Sequence, residues 1–211
     1  KVLLVADNNT WEACGRKAYD IIPCEKDAVI LSGNGKVVIP NEEKIDEITK
    51  KVTDGTDLII GAGSGVINDL CKIVSFNKGL LYYIIATAPS MDGYASNGSA
   101  LILGGMKVTL NARPPKGIIA DTAVLKNAPL DMIKSGYGDI LGKYSCLNDW
   151  KLSRIVNGEY FCDYVYELTY NMLKKTEKTA FSFTIRIYPL IFRMIFIGVN
   201  FYNTRHHRLC D

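Results

Sequence analysis

The stretch that decides the fold is LIIGAGSGVINDLCK, residues 58–72. Its apolar start, Leu58–Ile60, predicts a short buried strand, and Gly61–Gly65 predicts a tight turn. Apolar residues at helical spacing from Val66 onward predict an amphipathic helix directly after the turn. Strand, glycine turn and helix together form the repeating unit of doubly wound α/β folds.

The same rhythm extends along the chain in both directions. Helical patterns cover Asn9–Ile21, where Asn9 and Glu12 fit an N-cap and its N3 partner, and Asn41–Val52. Further strands are predicted at Val2–Val5, Ala28–Leu31, Leu81–Ala86 and Gly117–Ala120. A hairpin is expected to turn on Gly104–Gly105. The sequence therefore predicts an α/β domain with a parallel sheet over residues 1–128, and mainly helices over residues 129–211.

Composition excludes several classes of protein. With 48% hydrophobic residues and a formal net charge of +3, the chain is neither disordered nor basic enough to indicate a nucleic-acid partner. The six cysteines contain no CxxC pair that would indicate a zinc knuckle. The one membrane-like stretch, Phe181–Phe201, is interrupted by Arg186, Pro189 and Arg193. We therefore expect a globular, cytoplasmic protein without a membrane span.

The glycine turn has two interpretations. Three residues without a Cβ let backbone N–H groups approach an anion at a helix N-terminus, which favours a phosphate site. However, the spacing is GxGxG, because residue 66 is valine, and no GK[ST] follows. Taken alone, the turn is equally consistent with a purely structural role.

Two further polar stretches carry candidate functional residues. In TAPSMDGYAS, residues 87–96, the hydroxyls of Thr87, Ser90 and Ser96 are suited to bind a cofactor and Asp92 to bind a substrate hydroxyl, although polar turns use the same residues. In SGYGDILGKY, residues 135–144, Asp139 is expected to open a helix, where a carboxylate serves either as a cap or as a metal ligand.

The order and context of these stretches resemble the glycerol-1-phosphate dehydrogenases, within the superfamily of dehydroquinate synthases and iron-containing alcohol dehydrogenases. GAGSGVINDLCK is similar to the GGGxxxDxxK element, with Gly65, Asp69 and Lys72 in register. TAPSMDGYAS is similar to TAxSxDGxAS, and KVTLNARPPKGIIADTAVLKNAP resembles KxxxxARxPxxxIADTxxLxxAP. With YGDILGKYSCLNDWKL, the resemblance extends over about Lys1–Leu152.

The resemblance implies a Rossmann-like N-terminal domain that binds NAD or NADP and the start of an all-helical, dehydroquinate synthase-like domain, with the active site between them. The implied cofactor-binding residues are Asp7, Gly61, Gly63, Ser64, Gly65, Asp69, Thr87, Ser90 and Ser96. Asp7 would contact the adenosine ribose, where a carboxylate favours NAD. Asp92 and Asp139 would act in catalysis and substrate binding, and Asp139 would also be the first ligand of a divalent metal, usually zinc.

The implied reaction is reversible hydride transfer between NAD(P)H and the C2 carbonyl of dihydroxyacetone phosphate, which yields glycerol 1-phosphate for phospholipid synthesis. The metal would polarise that carbonyl as a Lewis acid. Two alternatives stay open: a non-catalytic dinucleotide-binding fragment or pseudo-enzyme, and a glycerol dehydrogenase. Whether the protein forms a homo-oligomer is also open.

The end of the chain departs from the family pattern. Residues 178–210 contain no Asp or Glu but five of the seven phenylalanines. The family supplies two further histidine ligands, one in an SRPxSGxEH segment, and the adjacent His206 and His207 do not reproduce it. We therefore expect a shifted reading frame or another truncation beyond about Glu177. In that case a single carboxylate could not hold a three-ligand metal, and the chain would be inactive.

Overall fold

A computed structural model describes residues 1–180. The stretch Phe181–Phe201, the pair His206–His207 and the atypical tail apart from residues 178–180 lie outside the described residues. The chain divides into two compact units. Unit 1 comprises Lys1–Ala88 and Tyr94–Ala128, whereas unit 2 comprises Pro89–Gly93 and the chain from Pro129 on.

Unit 1 is built on a five-stranded sheet in the order β2-β1-β3-β4-β7, in which every neighbouring pair is parallel. A separate antiparallel hairpin pairs β5 with β6. The strands are β1 Val2–Asp7, β2 Lys26–Leu31, β3 Leu58–Gly63, β4 Leu81–Ala86, β5 Gly98–Leu103, β6 Met106–Asn111 and β7 Gly117–Ile119. The hairpin turns on Gly104 and Gly105, which both have positive φ, as the sequence predicted.

The helices complete the alternation of strands and helices. They are α1 Asn8–Thr10, α2 Arg16–Ile21, α3 Glu42–Thr49, α4 Gly65–Lys78 and α5 Thr122–Leu125, with a π-helical turn at Trp11–Gly15 and a single 3₁₀ turn at Gly93–Ala95. The sheet with its helices confirms the predicted Rossmann-like α/β class.

The predicted cap of the first helix is wrong. Asp7, not Asn9, is the N-cap: its Oδ1 accepts the Thr10 N–H at 2.9 Å, and the Thr10 hydroxyl oxygen accepts the Asp7 N–H at 2.9 Å. The helix begins directly after β1, so the last strand residue, still extended, takes the capping position. Glu12 instead forms an ion pair with Arg16 at 2.7 Å.

The core of unit 1 lies at the central strands. Val2–Ala6 of β1 are all buried, which is why this strand reads as an uninterrupted apolar run. From α4, Ile67, Leu70 and Cys71 are also buried. The polar Asn68 is buried too, and it accepts a hydrogen bond from the Tyr82 hydroxyl at 2.9 Å. Because the buried Asn68 amide has a hydrogen-bond partner on β4, α4 can lie close to the sheet.

Unit 2 is helical over its described part, with α6 Leu130–Asn157 and α7 Asp163–Ala180. The connection between these helices is held by the Trp150 indole N–H, which donates to the Tyr160 carbonyl at 2.8 Å. The Trp150 ring also packs on Phe161 with 4.5 Å between ring centroids. Among residues 1–180, we find no helix with the length and apolar character needed to cross a bilayer.

The expectation that Asp139 opens a helix is wrong. α6 begins at Leu130 and continues through Gly136 and Gly138, so Asp139 lies well inside the helix. In the interior of a helix, the backbone N–H groups are already bonded to carbonyls one turn earlier. A side chain there has no free N–H group to cap. The capping interpretation of Asp139 is therefore excluded, and its carboxylate is available for other contacts.

Candidate functional site

The carboxyl ends of three adjacent strands bring the polar candidates of unit 1 to one edge of the sheet. Asp7 ends β1, Ser64 directly follows β3, and Thr87 directly follows β4. The strand register shows that these three strands end at the same level, because Ala6 pairs with Ala62 and Gly63 pairs with Ala86. The strand order reverses between β1 and β3, and ligands of open α/β sheets bind at such a switch point.

The predicted bounds of the strand and the turn are wrong, because β3 extends through Gly63 and α4 begins at Gly65, which leaves only Ser64 between them. The two glycines within β3 have a packing reason to be glycine. A Cβ on Gly63 would lie 2.4 Å from the Ile67 Cβ, and one on Gly61 would lie 3.0 Å from the Ile84 Cδ1. Ser64 then caps α4, since its Oγ accepts the Gly65 N–H at 2.6 Å. The short connection at Ser64 thus places the positive end of α4 at the carboxyl ends of the strands, where an anion is favoured.

Tyr94, in the motif that follows β4, contacts the carboxyl end of β3 at Gly63. Its fully buried hydroxyl donates to the Ala88 carbonyl at 2.8 Å and lies 3.4 Å from the Gly63 carbonyl, which also accepts the Thr87 N–H at 3.1 Å. Burial raises the pKa of Tyr94, so the hydroxyl stays protonated. Sequence reasoning missed this residue; its one signal is a large aromatic ring within a motif of small and polar residues.

Asp69 and Ser96, two of the predicted cofactor residues, meet at a buried lysine. The Lys72 ammonium lies 3.0 Å from Ser96 Oγ, 3.0 Å from the Gly98 carbonyl and 3.4 Å from Asp69 Oδ1. Burial lowers the pKa of Lys72 and raises that of Asp69, while their mutual attraction opposes both shifts. These contacts join α4 to the start of β5, and a role of Asp69 or Ser96 in cofactor binding stays a prediction.

In unit 2, the loop Pro89–Gly93 lies against α6. The Asp92 N–H donates to Asp139 Oδ2 at 2.8 Å. A Cβ on Gly136 would lie 1.9 Å from the Pro89 carbonyl oxygen, so only glycine permits this approach. The structure thus brings Asp92 and Asp139 together within unit 2, which also contains Ser90, whereas Thr87 and Ser96 belong to unit 1.

Lys143 completes this cluster of charges. Its ammonium lies 2.9 Å from Asp92 Oδ2 and 4.0 Å from Asp139 Oδ1. Burial raises the pKa of Asp92 from 3.8 to about 6; Lys143 opposes this rise and Asp139 adds to it. The sequence signal for Lys143 was its position four residues after Asp139, which places both on one helix face.

The described residues do not by themselves form a metal centre. Residues 1–180 contain no group of three or more His, Cys, Asp or Glu side chains that could surround an ion. Asp139 offers one carboxylate, which already accepts the Asp92 N–H and faces the Lys143 ammonium. A catalytic zinc typically takes three protein ligands, so the described part of the chain does not supply the full set.

The parallel sheet, its switch point and the helix that begins at its carboxyl edge define a Rossmann-like α/β fold. The chain belongs to the iron-containing alcohol dehydrogenase family, because a sequence model of that family matches residues 1–129. This membership confirms the assignment made from the motifs.

Individual relatives agree with that family. The glycerol-1-phosphate dehydrogenase [NAD(P)+] of Geobacillus thermodenitrificans is 36% identical over 177 residues, covering 82% of this chain and 44% of the relative. The enzyme of the same name from Bacillus velezensis is 40% identical over 170 residues, covering 76% and 42%. Glycerol dehydrogenase of Schizosaccharomyces pombe matches the fold with a TM-score of 0.74 at 22% identity, covering 94% and 53%. The chain thus spans less than half the length of these curated relatives.

Proposed function

We propose that this protein is an NAD(P)-dependent sn-glycerol-1-phosphate dehydrogenase, which reversibly reduces dihydroxyacetone phosphate. The observation that carries the proposal is the convergence of Asp7, Ser64 and Thr87 at the carboxyl edge of three adjacent parallel strands. The names of the curated relatives support the same reaction. A cytoplasmic location and a role in lipid synthesis belong to this proposal.

The dinucleotide is proposed to bind along that edge of unit 1. Its pyrophosphate would approach the N-terminus of α4 at Ser64–Gly65, where backbone N–H groups and the helix dipole favour negative charge. Asp7 would accept a hydrogen bond from the adenosine ribose. Its Oδ1 is already fixed by the Thr10 N–H, which holds the carboxylate in one orientation. A carboxylate held there favours NAD over NADP.

The substrate is proposed to bind at the Asp92–Asp139 cluster in unit 2. Asp92 is 12% exposed and is held by two contacts from α6, so its carboxylate has a fixed direction for a substrate hydroxyl. Preorganised polar groups of this kind orient a ligand without the cost of reordering. Asp139 is proposed to contribute one oxygen ligand to a divalent metal. Such a metal would supply Lewis-acid polarisation of the carbonyl.

Oxidation of NADH by dihydroxyacetone phosphate, with Zn²⁺ supplied, tests the reaction. Turnover that Asp139→Ala abolishes and that Asp131→Ala, a change at an exposed carboxylate of the same helix, preserves would support the proposed reaction. Turnover that is unaffected by Asp139→Ala would contradict the proposed role of this residue. Replacing the substrate by unphosphorylated dihydroxyacetone separates this function from that of a glycerol dehydrogenase.

A non-catalytic dinucleotide-binding protein is the second candidate. One observation favours it: residues 1–180 contain no group of three or more side chains that could hold a metal, and the Asp139 carboxylate is paired with the Lys143 ammonium. This candidate predicts saturable NADH binding without turnover in the same assay. Failure to bind NADH at all would exclude both candidates.

A further inference from the structure

Lys143 lies in the middle of the proposed substrate site, although no sequence motif assigned it a role. It is one turn after Asp139 on α6, and its side chain is only 14% exposed. Its ammonium is 2.9 Å from Asp92 Oδ2 and 4.0 Å from Asp139 Oδ1. It therefore contacts both carboxylates through which the substrate is proposed to bind.

The arrangement of charges explains why a cation is needed there. Asp92 and Asp139 are close enough for the main-chain N–H of one to donate to the side chain of the other at 2.8 Å. Two carboxylates in a partly buried site repel each other, and they also repel any phosphorylated substrate. An ammonium group between them offsets both effects, and a charged hydrogen bond fixes the carboxylate that it contacts.

We propose that Lys143 is a positioning residue of the substrate site. Its ammonium holds one oxygen of Asp92 and thereby sets the direction of the other. It also reduces the negative charge that an anionic, phosphorylated three-carbon substrate meets. This inference rests on the proposed function, because it concerns recognition of that substrate at the same cluster.

The test measures two affinities of the full 211-residue chain. Calorimetry gives the Kd of dihydroxyacetone phosphate, and fluorescence titration gives the Kd of NADH. We expect Lys143→Met to weaken binding of dihydroxyacetone phosphate by at least about tenfold, and to change NADH binding by less than about twofold. Lys143→Arg keeps the charge, so it should restore substrate affinity to within about threefold of the original chain.

Lys134→Met is the matched control. Lys134 lies on the same helix, is 62% exposed and pairs with Asp131 at 3.2 Å, so its loss should leave both affinities unchanged. Circular dichroism reports whether each variant is folded. Should Lys143→Met fail to fold, Lys143→Gln replaces it, since it keeps most of the stem and removes the charge.

Three results would overturn the inference. The first is a Lys143→Met or Lys143→Gln chain that binds dihydroxyacetone phosphate as tightly as the original. The second is an Arg variant that binds as weakly as the Met variant. The third is an original chain that binds NADH but not dihydroxyacetone phosphate, which leaves the cofactor part of the proposed function intact. A chain that binds neither ligand overturns the proposed function itself.

Discussion

The main-chain N–H of Asp92 donates to the side-chain Oδ2 of Asp139 at 2.8 Å. This hydrogen bond joins two positions that are 47 residues apart in the sequence, one in the loop Pro89–Gly93 and one on α6. It brings together the two carboxylates that the motifs marked separately as substrate residue and metal ligand. The geometry makes them one cluster within unit 2.

Removing the acceptor of that bond should loosen the loop. We expect Asp139→Ala to speed hydrogen exchange of the Asp92 amide by about tenfold or more, because a charged hydrogen bond contributes about 1.5–3 kcal/mol. Asp139→Asn keeps an acceptor oxygen and should retain most of the protection. Exchange measured by NMR at the Asp92 amide distinguishes the variants, and equal rates in all three proteins would show that this contact does not hold the loop.

A methyl group at Gly136 should disrupt the same region. Its Cβ would lie 1.9 Å from the Pro89 carbonyl oxygen, so the loop or the helix must shift. We expect Gly136→Ala to lower the free energy of unfolding by about 2–4 kcal/mol. Gly142→Ala on the same helix meets no atom within 4 Å, and should instead stabilise by up to about 1 kcal/mol through helix propensity. Denaturant unfolding of the two variants checks the contrast, and equal effects would contradict the tight approach of Pro89 to α6.

Asp92 should titrate unusually late for an aspartate. Burial raises its pKa from 3.8 to about 6. Between these values the folded chain binds a proton that the unfolded chain releases, so the contribution of Asp92 to stability is present at low pH and is lost as pH rises to about 6. The loss amounts to as much as about 3 kcal/mol relative to Asp92→Asn, which has no such titration. Carboxyl ¹³C NMR gives the midpoint directly, and a value near 4 would contradict the burial of this group.

The hydroxyl of Tyr94 should contribute to the stability of unit 1. Its hydrogen bond to the Ala88 carbonyl is 2.8 Å long and fully buried, and Tyr94→Phe would leave that carbonyl without this donor. We expect a loss of about 1–3 kcal/mol in the free energy of unfolding. Tyr164 is 70% exposed, so Tyr164→Phe is a control that should change little. An equal loss of unfolding free energy in the two variants would show that the buried hydrogen bond of Tyr94 does not stabilise unit 1.

The sequence predicted the sheet well because its central strands are short apolar runs, of which β1 is buried along nearly its whole length. Such strands read as continuous apolar runs, and Leu81–Ala86 was predicted with the bounds that the structure has. Local errors arose where tertiary contacts decided the outcome. Gly136 and Gly138 suggested a helix start at Asp139, yet α6 runs through both of them. Residue 136 is glycine because the Pro89 carbonyl lies against it, and not because a helix begins nearby.

The candidate site was predicted in part. Its motif residues carry recognisable residue types at recognisable spacing, and Asp92 and Asp139 do meet in unit 2. Lys143 and Tyr94 were missed because each contacts a partner distant in the sequence, Asp92 for Lys143 and the Gly63 carbonyl for Tyr94. Lys72 matched a motif, but only the structure reveals that it is fully buried and joined to Ser96. Spacing along one chain does not report such long-range contacts.

The central claim, a dinucleotide site at the N-terminus of α4, is tested most directly by NADH titration of a Gly65→Asp variant. Asp is favourable in the first turn of a helix, so the fold should be retained, while its charge should repel the pyrophosphate. Gly55→Asp makes the same charge change shortly before the amino end of β3, and a Cβ at Gly55 would have no other atom within 4 Å. We predict saturable NADH fluorescence enhancement for the original chain and for Gly55→Asp, and affinity at least about tenfold weaker for Gly65→Asp. Equal affinity of Gly65→Asp and Gly55→Asp for NADH, or no binding by the original chain, would contradict the account.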